Sequence, residues 1–268
     1  MTEPSRNLGN LFLRFSSLRS VLRRIPFLGD LLARIAPKIL PRDSLVWVRI
    51  RRGPAAGLWM RLNARTGRTV QQASGEPGMQ RALLDHLRPG MTFYDLGANI
   101  GFFSLIAAQL VGPQGRVFAF EADPEIAARL QENVCRNNFT HVAVEQKAVW
   151  SHPGSVSFSR VDPGTSPDRG LGHVSPDASG ESNEISVEAV SLDQFTLFHP
   201  PPDVLKCDVE GAEVAVFDGA RRLLREDRPI LLVEMHTEEN SRLLVQRFSG
   251  FGYSCRNLDD NHVLALPQ

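Results

Sequence analysis

From about Gly75 onward, short apolar runs alternate with segments of helical period, and that alternation allows few folds. Runs such as Thr92–Leu96 and Ile230–Glu234 lack a regular polar face, so a sheet built from them must be covered on both sides. Helices crossing over between parallel strands provide that cover, which predicts an α/β doubly wound domain. Its expected elements are helix Glu76–Leu87, strand Thr92–Leu96, helix Phe102–Val111, strand Arg116–Glu121, helix Glu125–Asn137 behind Asp123-Pro124, and strand Val142–Lys147. Strand Val204–Asp208, a helix from Ala212, strand Ile230–Glu234, helix Glu239–Phe248 and a closing pair, Tyr253–Asn257 and His262–Leu266, complete it.

Residues 1–70 read differently, as an arm and a hairpin. Leu8, Leu11, Phe12, Phe15, Leu18, Leu22 and Ile25 recur at three- and four-residue intervals among arginines, the pattern of an amphipathic helix. A second short helix is bracketed by Pro26, Pro37 and Pro41, and Ser44–Ile50 with Gly57–Leu62 form a hairpin across Gly53-Pro54. The formal charge of zero conceals a division: residues 1–68 carry 14 Lys or Arg against three acids, so the front is +11 and the remainder −11. An arginine-rich amphipathic helix over residues 8–25 suits the interface of an anionic membrane, and equally a docking face on its own domain or on a second subunit. The oligomeric state is not readable from the chain.

No apolar run reaches the roughly 18 residues of a membrane span, and three cysteines without Cys-x-x-Cys spacing argue against a disulfide framework or a cysteine zinc site. A cytoplasmic protein is expected, with the inner membrane surface as a possible station for the arm. Between Val161 and Asn183, 14 of 23 residues are Gly, Ser, Pro or Asp, which predicts a long loop without regular structure, either a lid or a surface excursion.

Three stretches carry chemistry. The first is Phe93-Tyr94-Asp95-Leu96-Gly97-Ala98-Asn99-Ile100-Gly101, a strand turning through glycines into a helix whose free amides suit a nucleotide-like cofactor. Twenty residues after Gly101, Glu121 stands where a carboxylate accepts from both ribose hydroxyls. Asn99 replaces the middle glycine of a dinucleotide site, and Asp95 would repel phosphate but attract an ammonium group, so charge complementarity favours S-adenosylmethionine over NAD. The second stretch, Asp203 to Glu213, places Lys206 and Asp208 on one side of a strand end. The third ends a strand with Glu234 and His236 on one side, beside Asp208 by topology, and His236 could serve as a general base. Structural ion pairs account for such residues too.

Together the stretches FYDLGANIGFFSL, GRVFAFEADP, LQENVCRNN, VSLDQF, DVLKCDVEGAE and LLVEMH resemble the FkbM-type S-adenosylmethionine-dependent methyltransferases, in that family's order and from about Glu76 to the C-terminus. Cys207 stands where the family usually has an aliphatic residue. The resemblance implies a class I methyltransferase fold, Rossmann-like, with a seven-stranded mostly parallel sheet over residues 71–268. It also implies that Asp95, Gly97, Ala98, Asn99 and Gly101 surround the methionine part of the cofactor, that Glu121 holds the ribose, that Lys147, Ala148 and Val149 border adenine, and that Glu76 lies nearby. His236 or Asp208 is expected as the base, Lys206 as the group orienting the carboxylates, and Glu210 and Glu234 as ligands of acceptor hydroxyls. The acid-rich site suits a small-molecule, glycan or glycolipid hydroxyl better than a nucleic acid. A divalent ion held by these acids, a NAD-dependent oxidoreductase and a non-catalytic S-adenosylmethionine-binding module are the competing readings.

Overall fold

A computed structural model describes residues 44–63, 75–161, 172–175 and 183–268. The arm helices, and with them the membrane contact through residues 8–25, lie outside the described residues, as does much of the 161–183 stretch.

An antiparallel hairpin comes first, β1 (Leu45–Arg49) and β2 (Trp59–Asn63), with Val48 opposite Met60. Next come α1 (Pro77–His86), β3 (Thr92–Leu96), α2 (Phe102–Val111), β4 (Arg116–Phe120), α3 (Pro124–Arg136) and β5 (Val142–Glu145). Asp123 caps α3, accepting from the amides of Glu125 and Ile126, and Pro124 occupies the first turn where its missing N–H costs nothing.

The chain then leaves the main sheet. β6 (Ala148–Val149), β7 (Gly154–Ser159), β8 (His173–Ser175) and β9 (Glu184–Val190) form a second sheet in the order β6-β9-β7-β8. This corrects the expectation of an unstructured loop: His173–Ser175 pairs antiparallel with Ser157–Ser159, so backbone pairing supplies order that the composition alone does not. The short helix α4 (Leu192–Phe195) returns the chain to the main sheet, followed by β10 (Val204–Cys207), α5 (Glu213–Asp218), α6 (Arg221–Glu226), β11 (Ile230–Glu234), α7 (Glu238–Gly250), β12 (Tyr253–Asn257) and β13 (His262–Pro267). The single helix expected from Ala212 is two, broken at Gly219, where a side chain would collide with the Trp150 carbonyl.

The main sheet has seven strands in the order β12-β13-β11-β10-β3-β4-β5. β11, β10, β3, β4 and β5 are parallel, while β13 runs antiparallel between β11 and β12. This is the class I methyltransferase arrangement. Two apolar clusters cover its faces. One joins Phe93, Val117, Leu232 and Leu264 to α1, α2, α3 and the hairpin; the other joins Tyr94, Phe120, Leu205 and Val233 to α4, α5, α6 and α7. Strand order reverses between β3 and β10, neighbours with Leu96 level with Cys207, and ligands of open α/β sheets bind outside the carboxyl ends at such a point.

Candidate active site

The turn after β3 is built on two positive-φ residues, Gly97 at 71° and Asn99 at 50°. A Cβ at Gly97 would overlap the Asp208 carbonyl oxygen, so glycine there lets the two neighbouring turns touch. At Gly101 (φ 88°) a Cβ would strike Leu130, so that glycine admits α3 against α2. Both glycines therefore serve packing first.

Glu121, immediately after β4, is buried and held by its two oxygens: Oε2 accepts from the Asn99 amide at 2.8 Å and Oε1 from the Asp123 amide at 2.9 Å. Burial pushes its pKa up to about 7 against those two donors. The carboxylate borders a cleft of about 640 Å³, taken to its open mouth. Gly97, Asn99 and Glu121 line it with Ile126 of α3, and Lys147, Ala148 and Val149 line it as well. Phe158 and Val174 of the second sheet add apolar lining, and Asp208 and Glu210 add carboxylates. The sequence did not reveal Phe158 and Val174, because no pattern within β7 or β8 says which cleft they would meet.

Asp95 is placed otherwise than expected. It is fully buried, accepts from Ser104 Oγ at 2.6 Å and faces Lys206 Nζ at 3.4 Å, and it is absent from the lining of the cleft. Its nearest cation is a lysine rather than open space for a cofactor ammonium. Lys206, equally buried, also reaches Asp208 Oδ2 at 3.3 Å. Burial opposes the ammonium charge, but Asp208 and Asp95 together raise its pKa above the ordinary value. Asp208 is pushed up to about 6 by burial, with Lys206 opposing and Glu234 and Glu210 assisting.

His236 sits among carboxylates. Nδ1 is 2.8 Å from Glu213 Oε1, and Nε2 lies 3.3 Å from Glu210 Oε2, 3.7 Å from Asp208 Oδ1 and 4.0 Å from Glu234 Oε1. Glu210 and Glu213 outweigh burial and push the imidazole pKa up to about 10. The pull of Glu210 and Glu213 favours the protonated ring, whose Nδ1 donates to Glu213, and weighs against the expectation that His236 acts as a base. Glu213 is the anchor that sequence reasoning passed over: fully buried, it accepts from His236, the Gly211 amide and Asn240 Nδ2.

A second histidine was also missed. His262, opposite Glu234 in the β11–β13 ladder, is 2.6 Å from Asp259 through Nδ1 and 3.4 Å from both Glu234 and Glu76 through Nε2. Burial disfavours its charge, but the carboxylates of Glu234, Glu76 and Asp259 prevail and raise its pKa to about 10. Glu76 stands outside the cleft lining, at the N-cap of α1, with a left-handed φ of 48°.

The strand order and a cleft at its switch point define a class I methyltransferase. Residues 95–255 match the family described as the methyltransferase FkbM domain, and the chain belongs to that family. It is 29% identical over 205 residues, 74% of this chain and 80% of the relative, to the hexuronic acid methyltransferase AglP of Haloferax volcanii. A protein-L-isoaspartate O-methyltransferase of Aeropyrum pernix is 40% identical over 76 residues, 28% of each chain. Among solved structures, the methyltransferase FkbM of Methylobacillus flagellatus aligns with TM-score 0.48 at 17% identity, covering 75% of this chain and 54% of that one.

The cofactor is S-adenosylmethionine, and the residues present fit a cationic nucleoside: the cleft lining combines the apolar side chains of Ile126, Phe158 and Val174 with the carboxylates of Glu121, Asp208 and Glu210.

Proposed function

We propose that this methyltransferase transfers a methyl group to a hydroxyl of a sugar, either free or within a glycan, glycolipid or other secondary metabolite. The observation that carries the reading is the convergence of Asp208, Glu210 and Glu234 on the His236 ring, with Asp208 and Glu210 of that cluster lining the cleft. Several acceptors of hydrogen bonds around one donor match a polyhydroxyl substrate, and the similarity to a hexuronic acid methyltransferase supports a sugar.

When bound, S-adenosylmethionine supplies a methyl group already activated by its positive sulfur. Asp208 accepts the proton of the acceptor hydroxyl. Geometry favours it over His236, because both ring nitrogens of His236 already face carboxylates, Glu213 at Nδ1 and Glu210 at Nε2, which favour the protonated ring over a free base. Lys206 fixes the Asp208 carboxylate from below at 3.3 Å, while Glu210 and Glu234 hold neighbouring hydroxyls. Glu213 keeps the imidazolium in place for donation to acceptor oxygens.

Asp208→Asn is expected to lower kcat by roughly 10² to 10⁴, a far larger factor than its effect on the cofactor Kd. Incubation with trideuteromethyl cofactor and a panel of hexoses and uronic acids, read by mass spectrometry and fragmentation, tests the acceptor. Label on a ring hydroxyl supports the reading; label only on nitrogen, on a carboxylate or on protein removes it.

A further inference from the structure

We propose that Glu76, Glu234 and His262 form a binding site for a divalent first-row cation of the zinc or manganese class. Three elements deliver them: the N-cap of α1, the last residue of β11 and the first of β13. His262 is 6% exposed, so its polar atoms cannot turn to water. Its Nδ1 donates to Asp259 Oδ1 at 2.6 Å, and that oxygen is itself fixed by the amides of Asn261 and His262. A carboxylate at Nδ1 aims Nε2 at the two glutamates, the second contact that metal-bound histidines commonly carry, and an ion bound there takes the place of the proton that the carboxylates otherwise favour on the ring.

Among the described residues, that end of the ring meets only the two carboxylates, and neither at hydrogen-bond geometry. His262 Nε2 and Glu76 Oε2 are both buried with no hydrogen-bond partner, whereas buried polar atoms are nearly always paired. A proton on Nε2 does not reach hydrogen-bond geometry to either glutamate, although Glu76 Oε2 and Glu234 Oε2 each lie 3.4 Å away. Two ligands of one tetrahedral ion are separated by roughly 3.4 Å when its bonds are roughly 2.1 Å long. The three ligand atoms lie within 4.8 Å of one another. Imidazole with two carboxylates selects zinc or manganese over magnesium or calcium. Three protein ligands leave a further position for water or an acceptor oxygen, the pattern of a catalytic rather than a structural site. Through Glu234, whose other oxygen faces His236, the ion adjoins the cluster around Asp208.

The full chain, stripped with chelator and equilibrated with Zn²⁺, Mn²⁺ or Mg²⁺, is passed through gel filtration and its retained metal measured. One Zn²⁺ or Mn²⁺ per chain is expected, with Co²⁺ giving the intense visible absorption of a four-coordinate ion. Retention should disappear in His262→Gln and Glu76→Gln, and affinity should fall about 10- to 100-fold in Asp259→Asn. Cofactor affinity, measured on each variant, checks that it is folded. Absence of stoichiometric metal, or retention unchanged in folded His262→Gln and Glu76→Gln, overturns the proposal. So does loss confined to Asp208→Asn and His236→Gln, which would place the ion in the other cluster.

Discussion

At the scale of single residues, two side chains carry separable consequences. Gly97 combines a φ of 71° with a Cβ direction filled by the Asp208 carbonyl. Gly97→Ala should therefore cost at least about 2 kcal/mol, more than the roughly 1 kcal/mol that left-handed backbone alone costs alanine, read as a lower denaturation midpoint. If Glu121, whose pKa burial pushes up to about 7, holds the ribose as proposed from its place in the cleft, it must be ionised to accept from both hydroxyls. Its proton is retained below that value and lost above it, so cofactor affinity should fall as pH drops from 8 to 6. In Glu121→Ala, calorimetric titration should find weaker binding with that slope removed.

At the scale of elements, the second sheet is held to the main one by Arg160, just past β7. Its guanidinium meets Asp123 at 2.8 Å and Glu125 at 2.8 Å, both at the start of α3. Arg160→Ala should lower stability by about 1–2 kcal/mol, since Asp123 is buried, and should raise the cofactor KM by loosening Phe158 at the cleft wall. This sheet also marks where sequence reading stopped. Thr92–Leu96, Phe102–Val111 and Ile230–Glu234 were legible to the residue, because they are predominantly apolar over five residues or more and are bounded by Pro, Gly or acids. β6 has two residues and β8 three, too few for any period, so only their pairing partners define them. Within the site, Asp208, Glu210, Glu234 and His236 were legible as polar residues that buried strand ends have no packing reason to carry. His262 was not, because its partner Glu76 lies 186 positions away in the chain.

At the scale of the whole molecule, the two apolar clusters that cover the main sheet are built, among the described residues, from positions 48 to 266. Deleting residues 1–40 is accordingly expected to leave the cofactor Kd and the melting temperature of the catalytic body unchanged. The charge division of +11 against −11 gives the same deletion a second readout. If residues 8–25 contact anionic lipid, the full chain sediments with anionic liposomes in low salt and the deleted chain does not; equal sedimentation disposes of the membrane role. The contact of Gly97 with the Asp208 carbonyl bears on engineering at this scale. It locks the turn after β3 to the turn after β10, so a chimera that grafts another member's 208–212 segment is expected to disturb the Gly97 side of the cleft as well as its own. Exchanges meant to change only what is methylated should be made further out, where no backbone is shared.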